Sequence, residues 1–203
     1  MNLGILIILI ALLGYISNWL NWRYLNYPIV RLLFYVGAVI HELSHGLLCF
    51  LTGATITESS IFSREPHITN LKPKLPFVGQ TLISLAPIAG GLLFLFLINK
   101  YFLVNYFSTS PLHLLSQINL FDWQSWLMIL LFLNVGAMIG PSFQDLKNIW
   151  PIIIALFFIT LPALINVSLF VITLILINII IQVILMLAIR IVKTIKARTC
   201  LFL

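Results

Sequence analysis

The sequence predicts an all-α fold: a polytopic bundle of about six membrane-spanning helices, with a short strand-containing loop after the second. Three observations predict it. The 203 residues are 62% hydrophobic and 8% charged, and mean hydropathy is +1.14. That leaves too little polar surface to cover a soluble core. Several stretches of about 20 residues lack charge, the length a bilayer-crossing helix needs. The only long polar stretch, residues 54–76, separates two of them.

The first span is expected over about Asn2–Leu20, kept as a helix because no basic segment precedes it. "NWRYLNYP" follows, with Trp and Tyr suited to an interface belt. The second span covers about Ile29–Leu51 and is stopped by Gly53. β-Branched residues and later prolines make 54–76 a surface loop with one or two strands. The third span, about Phe77–Tyr101, contains "APIAGG", small residues that let another backbone approach. The fourth covers about Trp123–Ile139. Ile149–Ile189 is too long for one crossing, and Pro162 with Asn166 marks the expected break. The chain is thus one integral membrane domain over 1–203: a core at about 30–150, a C-terminal helical pair at 149–190 and a basic tail at 191–203.

The net charge of +6 is no nucleic-acid footprint, because the basic residues are scattered or flank spans. They bear on topology. Arg190, Lys193, Lys196 and Arg198 put the tail in the cytoplasm. Six spans then place the 54–76 loop inside as well, in a multi-pass protein of the cell membrane. The two cysteines form neither a disulfide framework nor a CxxC site.

"VIHELSHGLL", residues 39–48, puts three ionisable side chains inside a span. Each costs about 2.5–3.5 kcal/mol to insert, so such residues mark functional sites. His41 and His45 are four residues apart, about 40° apart on one helix face, and can grip one metal ion. Glu42 is rotated about 100° from His41 and is better placed to reach a water on that metal than the metal itself. This is the HExxH arrangement, two zinc ligands and a general base. The bland alternative is a polar patch bonding neighbouring helices.

A catalytic Zn2+ takes a third protein ligand. The candidates are Glu58, Glu65, His67, His113, Asp122 and Asp145. The predicted topology puts His113 and Asp122 on the wrong side. Glu65, twenty residues after His45, sits in a loop before Pro66. Asp145, at the end of the fourth span, is preferred, with Glu65 still open. Asp145 could instead be an N-cap or a surface charge beside Lys147. Ser44 could line a polar cavity or bond its own helix, and Cys49 reads as a buried thiol.

A helix-embedded "HELSHGLL", a strand-bearing polar loop, a Pro/Gly-containing span and a later Asp resemble the site-2 protease family of intramembrane metalloproteases, over about residues 30–150. The resemblance implies zinc on His41, His45 and Asp145, Glu42 as catalytic base, and a peptide bond in or near a membrane protein's transmembrane segment as substrate. It implies the lipid bilayer and that membrane protein as partners, and no nucleic acid. Family members commonly carry Gly after the Asp; here it is Leu146 in "PSFQDLKN". The Thr55–Phe62 segment could offer a strand edge to an extended substrate. Two other functions fit the motif less well. A transporter would want polar residues continuing to the other face, and an inactive relative would not need all three HExxH residues.

Overall fold

The computed structural model describes residues 2–24, 34–63, 66–74, 76–103, 118–119, 121–156 and 162–199. Six helices and one hairpin make up the described chain: α1 (Leu3–Tyr24), α2 (Tyr35–Thr52), β1 (Ile56–Ser60), β2 (His67–Asn70), α3 (Pro76–Tyr101), α4 (Trp123–Met138), α5 (Phe143–Leu156) and α6 (Pro162–Thr199). Four of them, α1, α2, α3 and α6, are long and apolar enough to cross a membrane.

α2 ends where the sequence says. Gly53 takes a left-handed φ of 68°, which a Cβ would oppose. Ala54 N–H then donates to Cys49 O at 2.9 Å, and the two side chains pack together with Ile83. This is a Schellman stop with its apolar contact. The chain turns into an antiparallel pair in which Ser60 faces His67 and Ser59 faces Ile68, with an irregularity between Ile56 and Glu58.

Lipid tails are as apolar as leucine, so helices in a bilayer associate by close packing and buried hydrogen bonds. Both are present. A Cβ at Gly90 would run into Ser44 Oγ, and one at Gly37 into the Asn134 carbonyl. These glycines bring α3 and α4 against α2 backbone to backbone. Gln182 on α6 donates to Ser17 Oγ at 2.9 Å and to Asn21 Oδ1 at 3.1 Å on α1. Asn178 donates to Phe132 O at 2.9 Å on α4. Such bonds average about 0.6 kcal/mol each, so the close approaches carry much of the association.

The helix directions correct the predicted topology. α2 and α3 are antiparallel: His45 meets Ile83, and Thr52 sits beside Gly79. α4 runs with α2, Asn134 against Gly37 and Met138 against His41. α5 continues towards the hairpin: Asp145 lies beside His45, while Trp150 and Pro151 share a cleft with Pro76 and Phe77. α4 and α5 are 16 and 14 residues long, each too short to cross alone. They follow one another in the same direction as α2, with a break at 139–142. Broken backbone at membrane depth is tolerated where protein buries it, and Gly140 is packed against Gly14.

The apolar run from Ile149 divides before Pro162, where the break was expected, but both helices extend beyond the expected bounds. Residues 149–156 are the second half of α5, and α6 is one helix of 38 residues. Residues 157–161 lie outside the described chain, but their covalent reach is at most about 20 Å. α6 accordingly starts near the hairpin end, and its length of about 57 Å carries the tail to the opposite end. The helix directions place the described tail residues and the hairpin towards opposite ends of the bundle, whereas the sequence put the tail and the 54–76 loop on one face. Lys72, Lys74 and Lys147 belong to the hairpin end; Lys100, Arg190, Lys193, Lys196 and Arg198 belong to the other. Their sum no longer assigns the hairpin face to the cytoplasm.

Candidate metal centre

His41, His45 and Asp145 come together with one ligand atom from each within 4.8 Å of the others. The two Nε2 atoms are 3.2 Å apart, and His45 Nε2 is 3.6 Å from Asp145 Oδ2. Asp145 is buried, 6% exposed. A carboxylate so placed would be costly without donors, and Ser142 supplies two of them.

Each imidazole is aimed by a backbone carbonyl that a helix break has released. His45 Nδ1 lies 2.9 Å from Ile83 O. In a regular helix that oxygen would accept from residue 87, but residue 87 is proline, which has no N–H. His41 Nδ1 lies 2.7 Å from Met138 O. Met138 ends α4, so its carbonyl is one of the terminal acceptors a helix leaves open. Carbonyls only accept, so both Nδ1 atoms carry the proton and the neutral rings turn their Nε2 lone pairs inward.

Asp145 is held by a reciprocal cap. Ser142 N–H and Ser142 Oγ donate to Asp145 Oδ2 at 2.9 and 2.7 Å, and Asp145 N–H donates to Ser142 Oγ at 3.2 Å. This is a capping box with Asp in the third helical position. Asp145 is thus not itself the N-cap: Ser142 caps α5, and Asp145, in the first turn, helps to cap while facing His45.

Two inward lone pairs at 3.2 Å beside a carboxylate repel unless a cation or a proton lies between them. Tetrahedral bonds of about 2.0–2.1 Å set ligand atoms about 3.3 Å apart. The His41–His45 and His45–Asp145 separations sit on either side of that value, and with all three donor atoms within 4.8 Å of one another the group could hold a metal ion.

Glu42 lies on the same helix as the two histidines. Its carboxylate is within electrostatic reach of His45, Asp145 and His67, and faces the backbone of Ile68. Ile68 reaches α2 because residue 46 is glycine; a Cβ there would sit 2.9 Å from Ile68 Cδ1. The strand beside the motif is thus β2, whereas the sequence favoured 55–62, which supplies β1.

The other candidates fall away from the cluster. Glu58 pairs with His67 on the hairpin at 3.4 Å, both exposed. Asp122 accepts from Asn119 at 3.0 Å, before α4 at the far end. Glu65 and His113 lie outside the described residues. Ser44 bonds back to Ile40 O at 2.6 Å, and Cys49 is buried against Ala54 and Ile83, away from the donors. Sequence reasoning missed Pro87, Ser142 and Ile68. The first two were legible as a proline four residues after Ile83 and as S-x-x-D in "SFQD". Comparison with family models, curated proteins and solved structures finds no match to this chain.

Proposed function

We propose that the protein is an intramembrane zinc endopeptidase of the site-2 protease type, cleaving peptide bonds in or near the transmembrane segments of other membrane proteins. The observation that carries the reading is the inward pair of Nε2 atoms, 3.2 Å apart and backed by Asp145, with Glu42 beside them. The resemblance in "HELSHGLL" supports the same conclusion.

His41, His45 and Asp145 would hold the ion. When bound, zinc supplies a Lewis acid for the scissile carbonyl and brings the ionisation of water near neutral pH. Glu42 takes the proton from the attacking water and delivers it to the leaving amine. Pro87 and Met138 keep the imidazoles in the tautomer that exposes Nε2. A helix hides its own backbone, so the substrate unwinds before cleavage. An extended chain laid along β2 would pass Glu42, and main-chain bonds to that strand would hold it. The centre lies about 10 Å of helix rise from the end of α2, so water and substrate reach it from the hairpin end.

The test is zinc content and cleavage together. Full-length protein purified gently in detergent is expected to hold about one zinc per chain and to cut a model transmembrane substrate. Glu42→Gln keeps the zinc and loses the cleavage. Wild type without zinc, or cleavage that persists in Glu42→Gln, would overturn the proposal. Zinc flux into liposomes without proteolysis would make the protein a transporter instead.

A further inference from the structure

We propose that a second site, the cleft between the first turns of α3 and α5, binds the phosphate headgroup of an anionic phospholipid. The proposal stands apart from the peptidase reading and uses none of its residues.

The cleft is a cavity of 710 Å³, within the range of about 300–1,000 Å³ typical of small-molecule sites. Two lysines line it from separate segments, Lys72 between β2 and α3 and Lys147 on α5. The amides of Gln80 and Gln144 add donors. None of its described lining residues is acidic, so the site has a single sign of charge. It is also braced from within. Thr81 Oγ1 donates to Asn148 O at 2.9 Å, and Asn148 Nδ2 donates to Ser84 Oγ at 3.3 Å. α3 opens at Pro76 on the rim, so its unpaired first-turn N–H groups and dipole favour an anion there too.

The surroundings argue for a lipid over a soluble phosphate. Phe77 and Trp150 flank the cleft and are 76% and 56% exposed. Val78 and Ile154 extend this exposed apolar surface along the outer faces of α3 and α5. Aromatic residues beside lysines are the composition of a bilayer interface. A headgroup in the cleft would leave its acyl chains over that apolar face. Basic pockets between membrane helices hold anionic headgroups in this way.

The experiment titrates full-length protein in neutral detergent with dioctanoyl phosphatidylglycerol, dioctanoyl phosphatidylcholine, glycerol phosphate and a short acidic peptide. Native mass spectrometry reads occupancy, and thermal unfolding reads stabilisation. Phosphatidylglycerol is expected to bind at about one per chain and to raise the unfolding temperature, with phosphatidylcholine far weaker. Each lysine near the headgroup is worth about fivefold in affinity, so Lys72→Ala with Lys147→Ala weakens binding about 25-fold. Lys72→Arg with Lys147→Arg retains it, and so does Lys193→Ala with Lys196→Ala in the tail. Equal binding of the two lipids, or unchanged binding in the double alanine variant, overturns the proposal. Glycerol phosphate binding as tightly as the lipid makes this a free-phosphate site, and preference for the peptide makes it a protein-docking site; either also overturns it.

Discussion

His45 and Ile83 are joined side chain to backbone: the imidazole Nδ1 sits 2.9 Å from the Ile83 carbonyl oxygen. That carbonyl is available because Pro87, one turn on, has no N–H to give it. A helix defect in α3 thus fixes the tautomer of a ring in α2, and the break after α4 does the same for His41 through Met138. The two defects turn an i, i+4 histidine pair into a pair of converging donors.

Metal affinity should follow that arrangement. His41→Ala, His45→Ala and Asp145→Asn are each expected to remove the bound ion on dialysis, measured as metal per chain. Ser142→Ala keeps all three donors and the backbone N–H bond to the Asp145 carboxylate, but removes the hydroxyl bond to that carboxylate and the acceptor for the Asp145 N–H. Loss of such an orienting partner costs about 10- to 100-fold in metal affinity. Metal content unchanged in Asp145→Asn would remove Asp145 from the ligand set.

Glu42→Gln separates chemistry from binding. The amide is nearly isosteric and cannot take a proton, so turnover should fall at least about 10²–10⁴-fold, the usual weight of a general base. Zinc stoichiometry should stay at the wild-type value. Loss of both together would mean that Glu42 holds the metal or the fold.

Gly90 tests the packing behind the site. A Cβ there meets Ser44 Oγ, and Ser44 is pinned to Ile40 O on the helix that carries the histidines. Gly90→Ala is expected to cost about 1–3 kcal/mol of stability, the range for overpacking a tight contact. In a Ser44→Ala background the cost should shrink, because the opposing hydroxyl is gone. A double-mutant cycle on thermal or denaturant unfolding reads the coupling.

Much of this was legible in the sequence, for reasons that also mark the limit. His41, Glu42 and His45 follow from spacing alone, because an α-helix fixes which side chains share a face. Gly53 announced the end of α2, and the β-branched loop announced a hairpin. Asp145 was preferred on depth, inferred from a loop between the fourth and fifth spans, where the structure has a short break followed by the first turn of α5. Residues 139–142 interrupt the path from α4 to α5 without reversing it, and hydropathy does not distinguish such a break from a turn. Pro162 did mark where the apolar run after Ile149 divides, since proline is tolerated in the first turn of a helix and not in its interior. The carbonyl partners of the imidazoles were hidden for another reason. Every residue has a carbonyl, and only the fold shows which one a proline has released.

The sidedness of the tail follows from that correction and can be measured. Ser59→Cys on β1 and Lys193→Cys on α6, each made with Cys49 and Cys200 replaced by serine, should be labelled by an impermeant maleimide from opposite sides of the membrane. The charge rule places the more basic end inside. Among the residues assigned here, that end is the tail, with Lys100, Arg190, Lys193, Lys196 and Arg198 against Lys72, Lys74 and Lys147. Labelling of both cysteines from one side would restore an even number of crossings between them and refute the broken-span arrangement of α4 and α5.

Pro87→Ala makes the sharpest prediction, because its two effects have opposite signs. Alanine supplies the missing N–H and removes a helix-interior proline, a change worth up to about 3 kcal/mol in favour of a regular helix. The new N–H competes for Ile83 O, which His45 Nδ1 now uses. The imidazole then loses the partner that fixes its tautomer, and metal affinity should fall about 10- to 100-fold. A variant that is as stable as wild type or more so, yet binds metal more weakly, is the expected outcome, read by unfolding of the metal-free protein and by competition with a chelator. Unchanged affinity in a stabilised Pro87→Ala would show that the Ile83 carbonyl does not orient His45.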